Sequence, residues 1–307
     1  MKRRVFLAST VGALAGVAAV RTPHAAQAAG NPESPGAARP AIALAADDIA
    51  AFPAPPAGFD TERTGIARGN VVEFSYASSV TGTRRKAQVY LPPGYSETQR
   101  YPVLYLLHGI GGNQDEWRGY VRAHIVLDNL LADRAAVPMI VVMPNGRALA
   151  DDRVPPAEQT FTPEHIAGFA QFERDLLESL VPAIDRTYPT LAERGKRAIA
   201  GLSMGGGQAM NFGLAHLETF AWVGGFSSAP NTRAGAELLP DPAAAARRLR
   251  LLYLSCGKKD GLIGVSQAVH RYLRQHGVEH VWHVDEFAHM RESWAENLYH
   301  FSKLLFR

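Results

Sequence analysis

The sequence predicts an α/β domain built on a mainly parallel central sheet with helices on both faces. Three observations carry this prediction. Short apolar runs recur along the chain, helix-spaced segments separate them, and glycines and polar residues cluster where the runs end. A run that is apolar at every residue suits a strand covered on both sides, because each of its faces then meets a helix.

Taken in order, residues 1–28 read as an export signal. Lys2-Arg3-Arg4 precede an uncharged stretch over residues 5–20, and small residues follow to Ala26-Gln27-Ala28. A basic start, a short apolar core and an A-x-A site make a secretory signal, and sixteen residues are too few to span a bilayer comfortably. Arg3-Arg4-Val5-Phe6-Leu7 is also similar to the twin-arginine signal of bacteria, with Lys2 and Ala8 departing from that pattern. The expected location is therefore secreted or periplasmic, by a twin-arginine or a Sec route. Residues 29–63 are dominated at first by Ala, Pro and Gly and read as a flexible linker, with one helical turn near 41–51. The globular domain is expected over 64–307.

Within that domain, residues 71–76 and 86–91 alternate as antiparallel strands with one solvated face do. Continuous apolar runs at 101–107 and 139–143 predict central strands, with a helix around 120–132 between them. Residues 147–165 hold Asp151, Asp152 and two adjacent prolines and read as a long surface loop, with a helix over 168–184 beyond it. Further strands are expected at 197–200, 220–226, 249–256 and 281–284, and helices at 207–216, 262–275 and 292–305. On such a sheet, reacting groups gather in loops at the carboxyl ends of strands. His108, Asn145, Ser203 and Asp260 all follow apolar runs in that way.

Gly201-Leu202-Ser203-Met204-Gly205-Gly206 lies between a strand and a helix of this pattern. A strand, a sharp turn and a helix lift a serine clear of the backbone as a nucleophile elbow. A serine hydroxyl becomes nucleophilic at neutral pH only when a histidine takes its proton and a carboxylate orients that histidine. On this kind of sheet the chain order is Ser, acid, His, so the histidine must come late. His270, His276, His283 and His300 fall in or at the end of predicted helices and strands, and His280 precedes the last strand at its wrong end. His289, in the loop after that strand, remains. For the acid, Asp260 follows a strand and precedes a helix; Asp285 and Glu286 compete from positions closer to the histidine, and a plain helix N-terminal carboxylate is the bland alternative. The amide of Met204, with that of Ile110 in the glycine-rich turn after His108, would stabilise an oxyanion.

Composition excludes several classes. The 307 residues are 47% hydrophobic and 20% charged, an ordinary globular balance. The formal charge is +3, but the four cations Lys2, Arg3, Arg4 and Arg21 lie in the first 28 residues with no acid among them; subtracting them leaves −1. Neither nucleic acid nor an anionic membrane is suggested as a partner. Cys256 is the single cysteine, which excludes an internal disulfide. No phosphate-loop pattern and no H-E-x-x-H occurs, so neither cofactor nor metal is expected. The oligomeric state stays open.

Taken together, these residues make the chain resemble the esterase D-like α/β-hydrolases, in particular bacterial feruloyl and acetyl-xylan esterases of carbohydrate esterase family 1. The resemblance runs from about residue 71 to the end. It is carried by Val89-Tyr-Leu-Pro-Pro-Gly-Tyr95, His108-Gly-Ile-Gly-Gly112, Asp115-Glu-Trp117, Pro144-Asn-Gly146, the Ser203 elbow, Cys256-Gly-Lys-Lys-Asp260 and the His289 stretch. It implies an α/β-hydrolase fold and a Ser203, His289, Asp260 triad with Ile110 and Met204 as oxyanion donors. It further implies Trp117 at the border of an acyl pocket, with Asn145 and Trp294 as candidate substrate contacts. Ala288 and Arg291 stand where the family commonly has Gly and an aromatic residue; this alters the pocket rim and makes Arg291 a candidate for a polar or acidic group of the substrate. The expected activity is a secreted serine carboxylesterase acting on feruloyl or acetyl esters of plant polysaccharide. An acyltransferase of the mycolyltransferase type, hydrolysis of siderophore esters, and a silent carbohydrate-binding relative are the alternatives.

Overall fold

A computed structural model describes residues 42–307; the predicted signal and the start of the predicted linker lie outside the described residues. Eight strands form one sheet: β1 Asn70–Ala77, β2 Arg84–Leu91, β3 Val103–Leu107, β4 Ile140–Pro144, β5 Arg197–Leu202, β6 Trp222–Phe226, β7 Leu251–Gly257 and β8 Val281–Asp285. Their order is β1-β2-β4-β3-β5-β6-β7-β8. β1 and β2 pair antiparallel, as do β2 and β4, and every later pairing is parallel. The alternating segments thus sit at one edge, and the continuously apolar ones fill the interior.

The helices are α1 Ala123–Ala132, α2 Pro163–Asp175, α3 Val181–Thr187, α4 Ser203–Ala215, α5 Gly235–Leu238, α6 Pro242–Arg248, α7 Ile263–Gln275 and α8 Arg291–Leu304. Side chains of a strand point alternately to its two faces, and β3 shows the consequence. Val103, Tyr105 and Leu107 belong to the core layer that also holds Phe172 of α2, Ile184 of α3, Met210 of α4 and Leu273 of α7. Leu104 and Leu106 pack on the other side with Val126 of α1 and Phe301 of α8.

Several elements differ from the sequence expectation. The helix expected from residue 168 starts at Pro163, where Thr162 accepts a hydrogen bond from the His165 amide and proline fills the first helical position. It continues through a π-turn over Leu176–Leu180 into α3. The short helices α5 and α6 carry too few residues to show a period; for α6 the readable sign was Asp241 followed by Pro242, and Asp241 does cap it.

The largest correction concerns residues 42–63, expected to be part of a flexible linker; the loop over 147–165 lies at the surface over most of its length, as expected, and its base is buried. Residues 42–63 are docked on the body. The Asp48 carboxylate accepts from the Trp282 indole at 3.0 Å and from Gln267. Ile49 lends its carbonyl to Val284, the Ala51 amide donates to His283 Nδ1 at 3.0 Å, and Phe52 stacks on His300. The loop after β4 is anchored at its base by Arg147, which is fully buried and donates to the carbonyls of Ile110, Gly112, Asp152 and Arg153. Beneath it Arg85 pairs with Asp175, which also accepts from Tyr76 at 2.6 Å.

Candidate active site

The carboxyl ends of β3, β5, β7 and β8 converge on one rim. At the end of β5 the chain turns sharply into α4, and Ser203 takes φ +53°, a left-handed conformation that a residue with a Cβ rarely adopts. Gly201 and Gly205 make the turn possible. A Cβ on Gly201 would lie 2.3 Å from the Gly205 carbonyl oxygen, and one on Gly205 would lie 2.4 Å from that of His108. Strand and helix therefore approach more closely than any larger residue allows.

Three side chains from distant parts of the chain meet there. His289 Nε2 lies 2.9 Å from Ser203 Oγ, and His289 Nδ1 lies 2.7 Å from Asp260 Oδ2. The carboxylate can only accept, so Nδ1 carries the proton and Nε2 turns its lone pair to the serine hydroxyl. Asp260 is fully buried, and its other oxygen accepts the Leu262 amide at 2.8 Å. Burial pushes this carboxyl up, but the hydrogen bond and positive charge of His289, with the Leu262 amide, outweigh it and hold it below the usual range.

Backbone bonds bring acid and base together. The amides of Lys258 and Lys259 donate to the carbonyls of Asp285 and Phe287, both at 2.9 Å, and so zip the loop after β7 to the loop after β8. The rival carboxylates are engaged elsewhere. Asp285 accepts from Ser293 Oγ at 2.6 Å, Asn297 Nδ2 at 2.9 Å and the Phe287 amide, fastening the end of β8 to α8. Glu286 pairs with Lys258.

The glycine-rich turn after β3 lies beside the serine: a Cβ on Gly109 would sit 3.5 Å from that of Ser203. Ile110 follows in that turn, and Met204 lies in the first turn of α4, whose amides have no intrahelical acceptor. His108 rivets the turn. Its Nδ1–H donates to the Gly109 carbonyl at 2.6 Å, while Nε2 accepts the Gly146 amide at 2.8 Å. Burial, then the nearby Arg147 charge, lowers its pKa to about 4, so the ring is neutral.

The four candidate substrate contacts take other duties. Trp117 is buried, with its indole N–H on the Leu107 carbonyl and its ring edge-on to Phe226, so it belongs to the core. Asn145 is also buried and spends its amide on the Arg147 amide and the Asp152 carbonyl. Arg291 is occupied by Asp60 at 2.8 Å and the Tyr120 carbonyl. Trp294 packs edge-on against His289 at 5.1 Å and supports the imidazole.

Glu116 was missed by sequence reasoning. Its Oε2 accepts the Gly109 amide at 2.7 Å, and burial pushes its carboxyl up against the opposing pull of that amide and of His289. The only signal was its place beside Trp117. Away from this rim, His283, Glu296 and His300 could face a common ion, their ligand atoms lying within 4.8 Å of one another. However, His283 Nδ1 accepts the Ala51 amide, so Nε2 keeps its proton and donates it to Glu296 at 3.1 Å. That bond leaves His283 no lone pair for a metal.

Comparison with known proteins follows the same lines. The esterase family model, described as "Putative esterase", matches residues 78–300. Over 223 residues, 71% of this chain, the sequence is 34% identical to an endo-1,4-beta-xylanase/feruloyl esterase of Xylanibacter ruminicola, of which it covers 29%. It is 30% identical over 161 residues, 52% of this chain, to an esterase of Mycobacterium tuberculosis, of which it covers 32%. The chain thus spans about a third of the length of these curated relatives. Among solved structures, a CE1 ferulic acid esterase of Anaeromyces mucronatus in complex with ferulic acid superposes with TM-score 0.73 at 26% identity, over 82% of this chain and 96% of that one. The S-formylglutathione hydrolase of Staphylococcus aureus shares the fold, with TM-score 0.60 at 19% identity over 76% of this chain and 95% of its own.

Proposed function

The chain belongs to the esterase family, and from that premise we propose that it is a serine carboxylesterase with Ser203, His289 and Asp260 as its triad. The observation that carries the proposal is the continuous relay from Ser203 Oγ through His289 to Asp260, 2.9 and 2.7 Å per step, on a serine held at φ +53°.

Ser203 Oγ attacks the ester carbonyl while His289 Nε2 takes its proton, and Asp260 keeps the ring oriented and steadies the imidazolium. The carbonyl oxygen, now negative, is met by the amides of Met204 and Ile110; a donor of this kind is worth about 2.7–4 kcal/mol in the transition state. Collapse breaks the ester bond, and the departing alkoxide takes the proton from His289. A water molecule then gives its proton to His289 and attacks the acyl-enzyme, and the acid leaves as Ser203 recovers its hydrogen. Metal and cofactor have no step in this sequence.

Feruloyl or acetyl groups on plant polysaccharide are the proposed substrates. The relative named a xylanase/feruloyl esterase and the neighbour solved with ferulic acid support that choice. Residues 1–28 are proposed to direct export, and among the described residues no helix is long and apolar enough to cross a membrane.

Fluorophosphonate labelling together with assays on p-nitrophenyl acetate, methyl ferulate and acetylated xylan tests the reading. Labelling that disappears in Ser203→Ala, with turnover of methyl ferulate or acetylated xylan, is expected. Equal labelling of Ser203→Ala would end the mechanism. Turnover of p-nitrophenyl acetate alone would end the polysaccharide assignment.

A further inference from the structure

At the opposite end of the sheet from Ser203, residues flanking the starts of β5, β6 and β7 line an open surface cavity of about 280 Å³. Its wall carries Arg194, Lys196, Arg250 and Arg307 against a single acidic side chain, Glu193. Two aromatic rings also line it, with Trp222 and Phe306 edge to face at 5.6 Å.

Arg194 and Lys196 are half-buried, whereas Arg250 and Arg307 are exposed. Arg194 donates to the carbonyls of Leu217 and Arg248. The Trp222 indole donates to the Gly195 carbonyl at 3.0 Å, and Arg250 lies over Gly195, close enough that a Cβ there would be 3.7 Å from its Nε. Among the described residues no carboxylate side chain lies within salt-bridge distance of Arg194, Lys196, Arg250 or Arg307. Burial, then the neighbouring charges of Arg248 and Arg250, pulls the Arg194 guanidinium below its ordinary range. Beyond residue 28 the chain carries a formal −1, so this is a local concentration of positive charge in a near-neutral protein.

Crowded cations around a cavity are stabilised by an anion, and the guanidinium fork matches a carboxylate with two parallel hydrogen bonds. The volume falls near the small end of ligand sites and suits one sugar-sized group. We propose that this cavity is a second binding site, taking a carboxylate-bearing sugar unit such as a hexuronate of an acidic polysaccharide. The six residues of β5 separate it from Ser203 by about 20 Å, so it holds polymer without touching the reacting atoms. The choice of a sugar acid rests on the polysaccharide reading above.

Calorimetric titration of the full chain with trigalacturonate, neutral xylotriose and inorganic phosphate tests the site. Trigalacturonate binds saturably and xylotriose does not; the affinity falls as salt is raised from about 20 to about 300 mM. In Lys196→Glu/Arg250→Glu it weakens roughly tenfold or more, and Arg250→Lys, which keeps the charge but loses the fork, weakens it less. Both variants retain the wild-type melting temperature and rate on p-nitrophenyl acetate. No saturable binding of trigalacturonate, binding indifferent to the double reversal, or phosphate bound as tightly as the sugar acid would each overturn the proposal. A wild type inactive on p-nitrophenyl acetate is instead a failure of the esterase reading, recorded in a separate assay.

Discussion

Two buried carboxylates flank the loop that carries His289, and their surroundings separate their duties. Asp260 is held low by the imidazole it orients. Asp285 is pushed up by burial, which its bonds from Ser293, Phe287 and Asn297 offset only in part. Asp260→Asn should therefore lower kcat on a small ester by about 10⁴-fold, because the imidazole loses its tautomer and its counter-charge, with little change in melting. Asp285→Asn should instead cost about 1–3 kcal/mol of stability and leave kcat of the folded enzyme within a few fold. The reverse pattern in steady-state kinetics and urea melts would exchange the two assignments. Ser203, His289 and Asp260 were legible in the sequence because the chemistry imposes an order on them. Arg291 was not, since its partner Asp60 is 231 residues away in sequence and only folding brings the pair together.

Between elements, close approach and docking decide more than periodicity does. Gly205→Ala would drive a methyl into the carbonyls of Leu107 and His108 at the junction of β3 and α4. Overpacking of this kind costs about 1–3 kcal/mol, and a urea midpoint unchanged from wild type would refute the steric account. The segment over residues 42–63 is held by polar contacts that a composition rich in Ala and Pro does not advertise. Asp48 is the centre of that docking, receiving bonds from Gln267, Trp282 and the Ala45 amide. Asp48→Ala should free the segment, seen as faster limited proteolysis near residues 42–52 and altered Trp282 emission, while Ser203 still labels with a fluorophosphonate. The strands were readable because burial on both faces demands apolar side chains throughout. The docked segment was not, because its partners Gln267, Trp282 and His283 lie 219 to 234 residues along the chain, nor was the Arg147 anchor, half of whose acceptors belong to the turn after β3.

For the molecule as a whole, buried neutral histidines should make acid weaken the fold, against the opposing effect of the raised carboxyls of Glu116 and Asp285. His108 is held neutral in the folded state, with its pKa lowered to about 4, and His300 likewise, to about 3. The unfolded chain takes up these protons below about pH 6.5, whereas the native state refuses them until the lower values. Stability is thus complete above pH 6.5 and falls as pH drops from there toward 4, with His108 alone contributing on the order of 3 kcal/mol. The Asp47 carboxyl, lowered chiefly by its bond from His270, adds a further loss as pH falls below its ordinary 3.8. Urea midpoints measured at steps between pH 7 and 4 should decline steadily; a flat profile would mean that these rings titrate freely.

The amino-acid sequence by itself determined the class of sheet, where along the chain its interior strands fall, and the serine and histidine of the candidate triad. Each of these is a local pattern or a chemical order that survives without coordinates. Only the tertiary structure decided which carboxylate faces His289, that Trp117 and Asn145 are packing residues, that the stretch before β1 is docked, and that unpaired cations ring a cavity at the far end of the sheet. Those facts concern which side chains become neighbours when distant segments meet, and a linear pattern records what a residue is before it records what it touches.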